Sequence, residues 1–229
     1  MHECNDFYVE MLRIGIDDAR QKMHRKKEKI GILTYTGWIG TGKTSAVLDY
    51  CKKYSNCLYF SFENIEHSLA LKLFPKKYPQ IFSDPTDWAM FFEQLYAWCQ
   101  RRNYTVFFDS FVIKKDSDFH TQLVDKFYND HHRTVFVYIE DEHGQRMFTP
   151  LHIAEIKKIY PKLTDEEVVL VKSITGGISS LVALYNPKLD FETNLKRFLQ
   201  PNSYFRLLAE RIIKEYYRAS ESYNTLLYG

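Results

Sequence analysis

Eight consecutive residues carry the clearest chemical pattern in the chain. Gly-Trp-Ile-Gly-Thr-Gly-Lys-Thr, residues 37–44, fits G-x-x-x-x-G-K-[ST]. Such a loop suits a phosphate chain, because glycines at Gly37 and Gly42 let backbone N–H groups approach the oxygens closely. Lys43 is expected to reach the β- and γ-phosphates, and the Thr44 hydroxyl to bind Mg²⁺. The candidate phosphate-binding residues are Gly37, Gly40, Thr41, Gly42, Lys43, Thr44 and Ser45.

A carboxylate suited to the same metal ion follows a later apolar run. Residues 104–108 read Tyr-Thr-Val-Phe-Phe, a predicted strand, and Asp109 comes directly after it. Ligands of open α/β sheets bind at the carboxyl ends of the strands. We therefore expect Asp109 to hold Mg²⁺ through its water, together with Thr44. The alternative is an aspartate that only forms the turn after a strand.

The elements around these residues alternate between strand and helix. The phosphate loop (residues 37–44) follows one short β-branched run and opens a helical pattern, and three further strands, separated by helical patterns, are visible before residue 150. This alternation predicts a mostly parallel sheet covered on both faces. Only helical patterns follow residue 152. We expect an α/β nucleotide-binding domain over 1–150 and a helical lid or bundle over 151–229.

Composition excludes several classes of protein. The 229 residues are 45% hydrophobic and 16% aromatic, enough for a sizeable core, and the net charge is only +2. No apolar run approaches the ~20 residues of a membrane span, and no signal-like segment follows Met1. The cysteines show neither metal-site nor redox spacing, so we expect reduced thiols and a cytoplasmic chain. They are Cys4, Cys51, Cys57 and Cys99.

The chain resembles the archaeal-type ATPases, a branch of the STAND group close to the AAA+ ATPases. The resemblance runs from about residue 30 onward and rests on the phosphate loop, "LYFSFENIEHSLALKLF", "DWAMFFEQLYAW" and the lid segments "FTPLHIAEIKKIYPKLTDEEVVLVKSITGGISSLVALYN" and "ETNLKRFLQPNSYFRLLAERIIKEYYRASESYNTLL". It implies a P-loop NTPase with a RecA/AAA-like (ASCE-type) sheet and a helical lid. It also implies that Mg-ATP binding or slow hydrolysis drives a conformational change as the lid closes.

Two departures from that family bear on activity. The glutamate that follows the strand aspartate in the family is Ser110 here, and serine cannot act as the base, so hydrolysis is expected to be slow or absent. Glu63 and Glu140, at the ends of the second and fourth predicted strands, are candidate replacements, although both also fit solvated strand-end charges. The family's Gly-Gly-x-Pro turn ends in Ser179, which puts the expected adenine contact in doubt.

Two further differences concern length. The segment 140–149 between the fourth strand and the lid is short, and Arg146 there fits a solvated loop residue better than the family's arginine. Family members usually continue into a winged-helix domain, and often a nuclease-like one. This chain stops about where such an extension would begin, as expected of a free-standing module or of a fragment.

Other readings stay open at this point. A non-catalytic module that uses ATP as a structural ligand fits Ser110 and Ser179, and a small-molecule or nucleotide kinase would share the phosphate loop. ATP is favoured over GTP only because no Asn/Thr-Lys-x-Asp motif is present. A protein partner or self-association is expected, without a membrane. The basic run 20–29 allows nucleic-acid contact but is more typical of a helix end.

Two residue clusters have plain structural interpretations. His131 and His132 follow Asp130, which suggests a metal site, but no second ligand pair stands at useful spacing, so a surface loop is favoured. Four aromatic residues lie at helical spacing in 87–101, which predicts packing in the core or against the lid. They are Phe91, Phe92, Tyr96 and Trp98.

Overall fold

The structure is a computed structural model that describes residues 2–25, 28–63, 65–100, 102–111, 117–128, 133–140 and 146–217. Within these residues the chain divides into two compact units. The sheet unit comprises Asn5–Gly37 and Lys43–Phe148. The lid unit comprises Met1–Cys4, Trp38–Gly42 and Thr149–Gly229, so the middle of the phosphate loop groups with the C-terminal helices.

The sheet unit is built on five parallel strands. They are β1 (Gly31–Gly37), β2 (Cys57–Ser61), β3 (Thr105–Asp109), β4 (Val135–Glu140) and β5 (Arg146–Phe148). Their order is β2-β3-β4-β1-β5, and every neighbouring pair is parallel. The strand that precedes the phosphate loop is thereby separated from β3 by β4, which is the order of the RecA/AAA-like (ASCE-type) sheets. The predicted fold class is confirmed.

Helices cover both faces of this sheet. They are α1 (His2–His24), α2 (Lys43–Lys53), α3 (His67–Lys77), α4 (Trp88–Cys99) and α5 (Ser117–Phe127). Helices α1 and α2 lie on the face that carries Phe107, whose ring is 5.5 Å from that of Tyr50 on α2. Helices α3, α4 and α5 cover the opposite face, which carries Phe108. Side chains therefore alternate between the two faces along β3, and both faces are covered by helices, as expected of a buried parallel strand.

An aromatic core fills the space between the sheet and α3–α5. Phe108 lies at its centre, with ring centroids of Phe60, Phe119 and Phe136 at 5.8, 5.2 and 6.2 Å. The α4 aromatics belong to this core: Phe91 and Phe92 are fully buried, and Tyr96 and Trp98 pack against it. Their prediction as packing residues is confirmed.

The C-terminal region contains helices only, as predicted, in the part that is described. They are α6 (Ile153–Ile159), α7 (Asp165–Thr175), α8 (Ser179–Val182), α9 (Phe191–Leu199) and α10 (Tyr204–Tyr217). Strong caps set their ends: Thr164 and Glu167 form a capping box at α7, and the Asp190 carboxylate accepts from the Thr193 N–H at α9. Such caps satisfy N–H groups that have no partner inside the helix.

One expectation about the segment before the lid is wrong. Arg146, interpreted as a loop residue, begins β5, which pairs with β1 through Tyr35, Thr36 and Gly37. A strand of three residues shows no alternation in the sequence, because its position depends on hydrogen bonds to β1 rather than on its own pattern. The Arg146 side chain lies outside the described part of the chain.

Candidate phosphate-binding site

The phosphate loop joins the end of β1 to the start of α2. Gly37 is the last residue of β1 and Lys43 the first of α2. Gly40 and Gly42 have φ values of 81° and 88°. These left-handed conformations are strained for residues with a Cβ, so the two glycines are required by the turn itself. Gly37 is not among the residues with positive φ, and its place is the end of an extended strand.

Lys43 lies against the beginning of the loop. Its side chain is only 7% exposed, and its Nζ donates a hydrogen bond to the Gly37 carbonyl oxygen at 2.6 Å. An ammonium group carries three N–H donors. The geometry therefore places a buried positive charge beside the residue where the loop leaves β1, which suits an anionic ligand.

Asp109 is the centre of a hydrogen-bond cluster at the carboxyl end of β3. Its side chain is 2% exposed, and its Oδ2 accepts from Thr44 Oγ1 at 2.8 Å and from Tyr59 OH at 2.7 Å. A carboxylate and a hydroxyl in direct contact are hard oxygen donors, the ligand type that Mg²⁺ prefers. The residues present therefore fit this metal ion, and the structure brings together the two residues that the sequence assigned to it.

Tyr59 is a member of this cluster that the sequence analysis missed. It lies on β2, beside β3, with Phe107 as its register partner. Burial raises the pKa of its phenol, and the nearby Asp109 carboxylate raises the pKa further. Strand register explains the contact: Tyr59 lies two residues before Ser61, the register partner of Asp109, and therefore on the same face of the sheet as Asp109. No local pattern in the sequence marks it.

The middle of the phosphate loop is held by the lid helices. The Gly40 carbonyl oxygen accepts from Ser179 Oγ at 3.1 Å and from Ser180 N–H at 3.0 Å. Ile39 packs in one apolar cluster with Ile178, Leu181 and Leu208. Ser179 occupies the position where the family resemblance expects proline, and a proline side chain has no hydroxyl to donate. The substitution thus adds a contact to the loop.

The other loop candidates have different surroundings. Thr41 is fully buried, and its hydroxyl donates to the Trp38 carbonyl oxygen at 2.7 Å, which closes the turn from within. Ser45 is exposed in the first turn of α2. Trp38 is 42% exposed within the lid unit. The Thr41 side chain therefore stabilises the turn of the loop through this internal hydrogen bond.

The candidate bases lie at the carboxyl edge of the sheet. Glu63 is exposed two residues beyond β2, with its backbone N–H donating to Ser61 Oγ at 3.3 Å, and its carboxylate contributes to the raised pKa of Tyr59. Glu140 ends β4 and pairs in register with Thr36 of β1. Ser110 has φ 60°, and its backbone N–H donates to the Ile139 carbonyl oxygen at 2.9 Å. Its backbone is thereby tied to β4.

The basic run 20–29, the His131–His132 pair and the expected absence of a membrane span lie away from the phosphate loop in the sequence. Part of the basic run is engaged within the chain: Arg20 donates to Thr105 Oγ1 at 2.8 Å, and Lys22 Nζ is 3.1 Å from Asp18. Asp130, His131 and His132 lie outside the described residues. Across the residues the structure describes, no cluster of three or more metal-ligating side chains is found. None of the helices described is long and apolar enough to cross a bilayer.

Comparison with known proteins found no matching family model and no similar curated protein. Among solved structures, Drosophila ORC bound to DNA matches with a TM-score of 0.49 and 12% identity, over 81% of this chain and 62% of that one. A STAND protein with a tetratricopeptide repeat sensor from Pyrococcus horikoshii matches at TM-score 0.44 and 14% identity, over 81% and 30% of the two chains. C. elegans PCH-2 matches at 0.42 and 12%, over 91% and 58%. The chain thus spans less than two thirds of the length of each of these three chains.

Proposed function

We propose that this chain is an ATP-binding P-loop NTPase of the STAND/AAA-like type. It binds Mg-ATP and couples binding or slow hydrolysis to a conformational change. The observation that supports this proposal is the contact between Thr44, the last residue of the phosphate loop, and Asp109, at 2.8 Å. A chance match to the loop pattern would not be expected to place its threonine against a buried carboxylate on another strand.

In this proposal each residue has a defined role. Backbone N–H groups of the loop and the N-terminal end of α2 bind phosphate oxygens. Lys43 supplies a positive charge to the β- and γ-phosphates, and the turn conformations of Gly40 and Gly42 aim the loop's N–H groups. Thr44 and Asp109 hold Mg²⁺, which neutralises phosphate charge when it is bound.

Hydrolysis is proposed to be slow. A water-orienting base normally follows the strand aspartate, and Ser110 has no carboxylate. Glu63 is the tentative catalytic base because its carboxylate acts electrostatically on Tyr59, a member of the Asp109 cluster, and Glu140 is the alternative. If Glu63 orients the water, Glu63→Gln reduces phosphate release by about 100-fold or more, whereas Glu140→Gln leaves it close to the wild-type rate. Unchanged release in Glu63→Gln contradicts its role.

A non-catalytic ATP-binding module is the second candidate. It is favoured by Ser110, whose backbone is fixed to β4 in a left-handed conformation and whose side chain offers only a hydroxyl. In that case ATP acts as a structural ligand that stabilises one state of the chain, which a protein partner or a second copy then recognises. Binding without turnover separates this candidate from the ATPase.

The two candidates are tested by two measurements on the same proteins. Melting temperature with and without Mg-ATP reports binding, and release of inorganic phosphate reports hydrolysis. Lys43→Ala is expected to abolish both. Lys52→Ala is the matched control, because Lys52 lies on the same helix with a side chain 76% exposed and should leave both unchanged.

Each outcome has a distinct meaning. Phosphate release that disappears in Lys43→Ala establishes an ATPase. A melting temperature raised by Mg-ATP in the wild type alone, without phosphate release, establishes the non-catalytic module. If Mg-ATP raises neither quantity in the wild type, or raises both equally in Lys43→Ala, the proposed function is wrong.

A further inference from the structure

We propose that Tyr59 is a positioning residue for the metal ion, through the hydrogen bond that its phenol donates to Asp109. This inference rests on the proposed function, because it concerns the Mg²⁺ held by Thr44 and Asp109. It adds a residue that the phosphate-loop pattern does not contain, since Tyr59 lies on β2, outside the eight residues of that pattern.

Two hydroxyl groups converge on one oxygen of Asp109. Tyr59 OH lies 2.7 Å and Thr44 Oγ1 lies 2.8 Å from Oδ2. Both groups can donate, whereas a carboxylate can only accept. Two donors from different elements, β2 and α2, restrict rotation of the carboxyl group about its terminal torsion. Hydrogen bonds of this kind to a ligating carboxylate orient it toward the metal.

Tyr59 is itself held in place by the end of α3. β2 is the edge strand of the sheet, so its outward N–H and C=O groups lack a strand partner. The Tyr78 hydroxyl fills this role for Tyr59: it accepts from the Tyr59 N–H at 3.1 Å and donates to the Tyr59 carbonyl at 3.0 Å. Lys77 Nζ donates to the same carbonyl at 2.9 Å and lies 4.8 Å from the centre of the Tyr59 ring. The phenol is therefore presented to Asp109 from a fixed backbone.

The charge of the acceptor strengthens this contact. A hydrogen bond from a neutral hydroxyl to a carboxylate is stronger than one between neutral groups, because the acceptor is charged.

The decisive measurement is the affinity for a divalent ion, with Mn²⁺ as the probe. Free Mn²⁺ is followed by electron paramagnetic resonance during titration of the full chain with saturating ATP, and ATP affinity is measured separately in EDTA. Tyr59→Phe removes one oxygen and is expected to raise the Mn²⁺ dissociation constant about tenfold, the usual effect of losing a group that orients a metal ligand. ATP affinity in EDTA should stay within about twofold, because the Tyr59 phenol is hydrogen-bonded to the metal-binding carboxylate of Asp109 and is assigned no phosphate contact in this proposal.

Tyr160→Phe is the matched control. Tyr160 lies in the lid unit, and the change removes a phenol oxygen together with its hydrogen bonds to the Val182 and Tyr185 carbonyls. It should lower the melting temperature at least as much as Tyr59→Phe while leaving the Mn²⁺ dissociation constant within about twofold, because Tyr59 and Asp109 are unchanged. A purely structural role for Tyr59 predicts instead that the loss of metal affinity follows the loss of stability in both variants.

Three results would overturn the proposal. An unchanged Mn²⁺ dissociation constant in Tyr59→Phe removes the role of Tyr59 alone and leaves ATP binding intact. An equal loss of Mn²⁺ affinity in Tyr160→Phe attributes the effect to general destabilisation of the fold. A wild-type chain that binds ATP neither in EDTA nor with Mn²⁺ contradicts the proposed function together with this inference.

Discussion

Gly40 gives the sharpest test of how the lid unit holds the phosphate loop. Its φ of 81° lies in the left-handed region. A Cβ added there would lie 2.6 Å from Ser180 Oγ and 3.0 Å from both Ile178 Cγ2 and Leu208 Cδ2. Gly40→Ala therefore combines backbone strain with overpacking against the apolar cluster that contains Ile39.

The size of the effect follows from these two causes. A left-handed conformation costs a non-glycine residue about 1–2 kcal/mol, and the less flexible unfolded chain returns about 0.4–1 kcal/mol. Overpacking adds about 1–3 kcal/mol. We expect Gly40→Ala to lower the free energy of unfolding by about 2–4 kcal/mol. Gly176→Ala should cost about 1 kcal/mol, because Gly176 has φ 61° but an added Cβ would meet, among the described residues beyond its chain neighbours, no atom within 4 Å.

A double-mutant cycle isolates the closest contact. The Ser180 hydroxyl is buried, and no hydrogen-bond partner for it lies among the described residues, so Ser180→Ala alone should change stability by less than about 0.5 kcal/mol. Combined with Gly40→Ala it removes the oxygen at 2.6 Å and should recover about 1 kcal/mol or more.

Urea unfolding of the four variants beside the wild type measures these differences. The variants are Gly40→Ala, Gly176→Ala, Ser180→Ala and the Gly40→Ala/Ser180→Ala pair. A cost for Gly40→Ala no greater than that for Gly176→Ala would refute the overpacking. Additive effects in the double variant would show that Ser180 Oγ is not the atom that clashes with the methyl group added at residue 40.

Three further predictions concern stability. Thr164→Ala removes the hydroxyl that accepts from the Glu167 N–H and should lower the free energy of unfolding in urea by about 1 kcal/mol. The rise in melting temperature caused by Mg-ATP should stay the same; a change in that rise would show that the α7 cap affects the phosphate loop. Asn194→Ala should cost about 3 kcal/mol or more, because this fully buried amide accepts from Asn186 N–H and donates to three backbone carbonyls; a loss below about 1 kcal/mol would show that the site relaxes or hydrates freely. Burial raises the pKa of the Cys99 thiol to about 12, whereas a thiol in an unfolded chain has a pKa of about 8.5. The unfolded chain therefore ionises first, and the stability that the neutral thiol contributes below about pH 8.5 is lost as pH rises toward 12. Unfolding free energies measured between pH 8 and pH 10 should therefore fall more steeply for the wild type than for Cys99→Ala, and parallel slopes would contradict it.

The strands and the phosphate loop could be predicted because each shows its signal locally. The short apolar runs that end at Gly37 and Asp109 alternate with helical patterns, and glycines stand where the turn needs left-handed backbone. β5 could not be predicted, since its three residues become a strand only through pairing with β1. Tyr59 could not be assigned to the site either, because its contact with Asp109 spans 50 positions of the chain.

The amino-acid sequence by itself determines the local chemistry of this protein: a glycine-rich loop that fits the phosphate-binding pattern, a carboxylate at a strand end, and serines at 110 and 179 where the family resemblance expects glutamate and proline. Those properties depend on residue type and short spacing. Only the tertiary structure decides that Thr44 and Tyr59 meet on one oxygen of Asp109, and that Ser179 donates to Gly40 across 139 positions. Such contacts arise from strand order and helix packing, whose free energy is distributed over the whole core and leaves no local mark in the sequence.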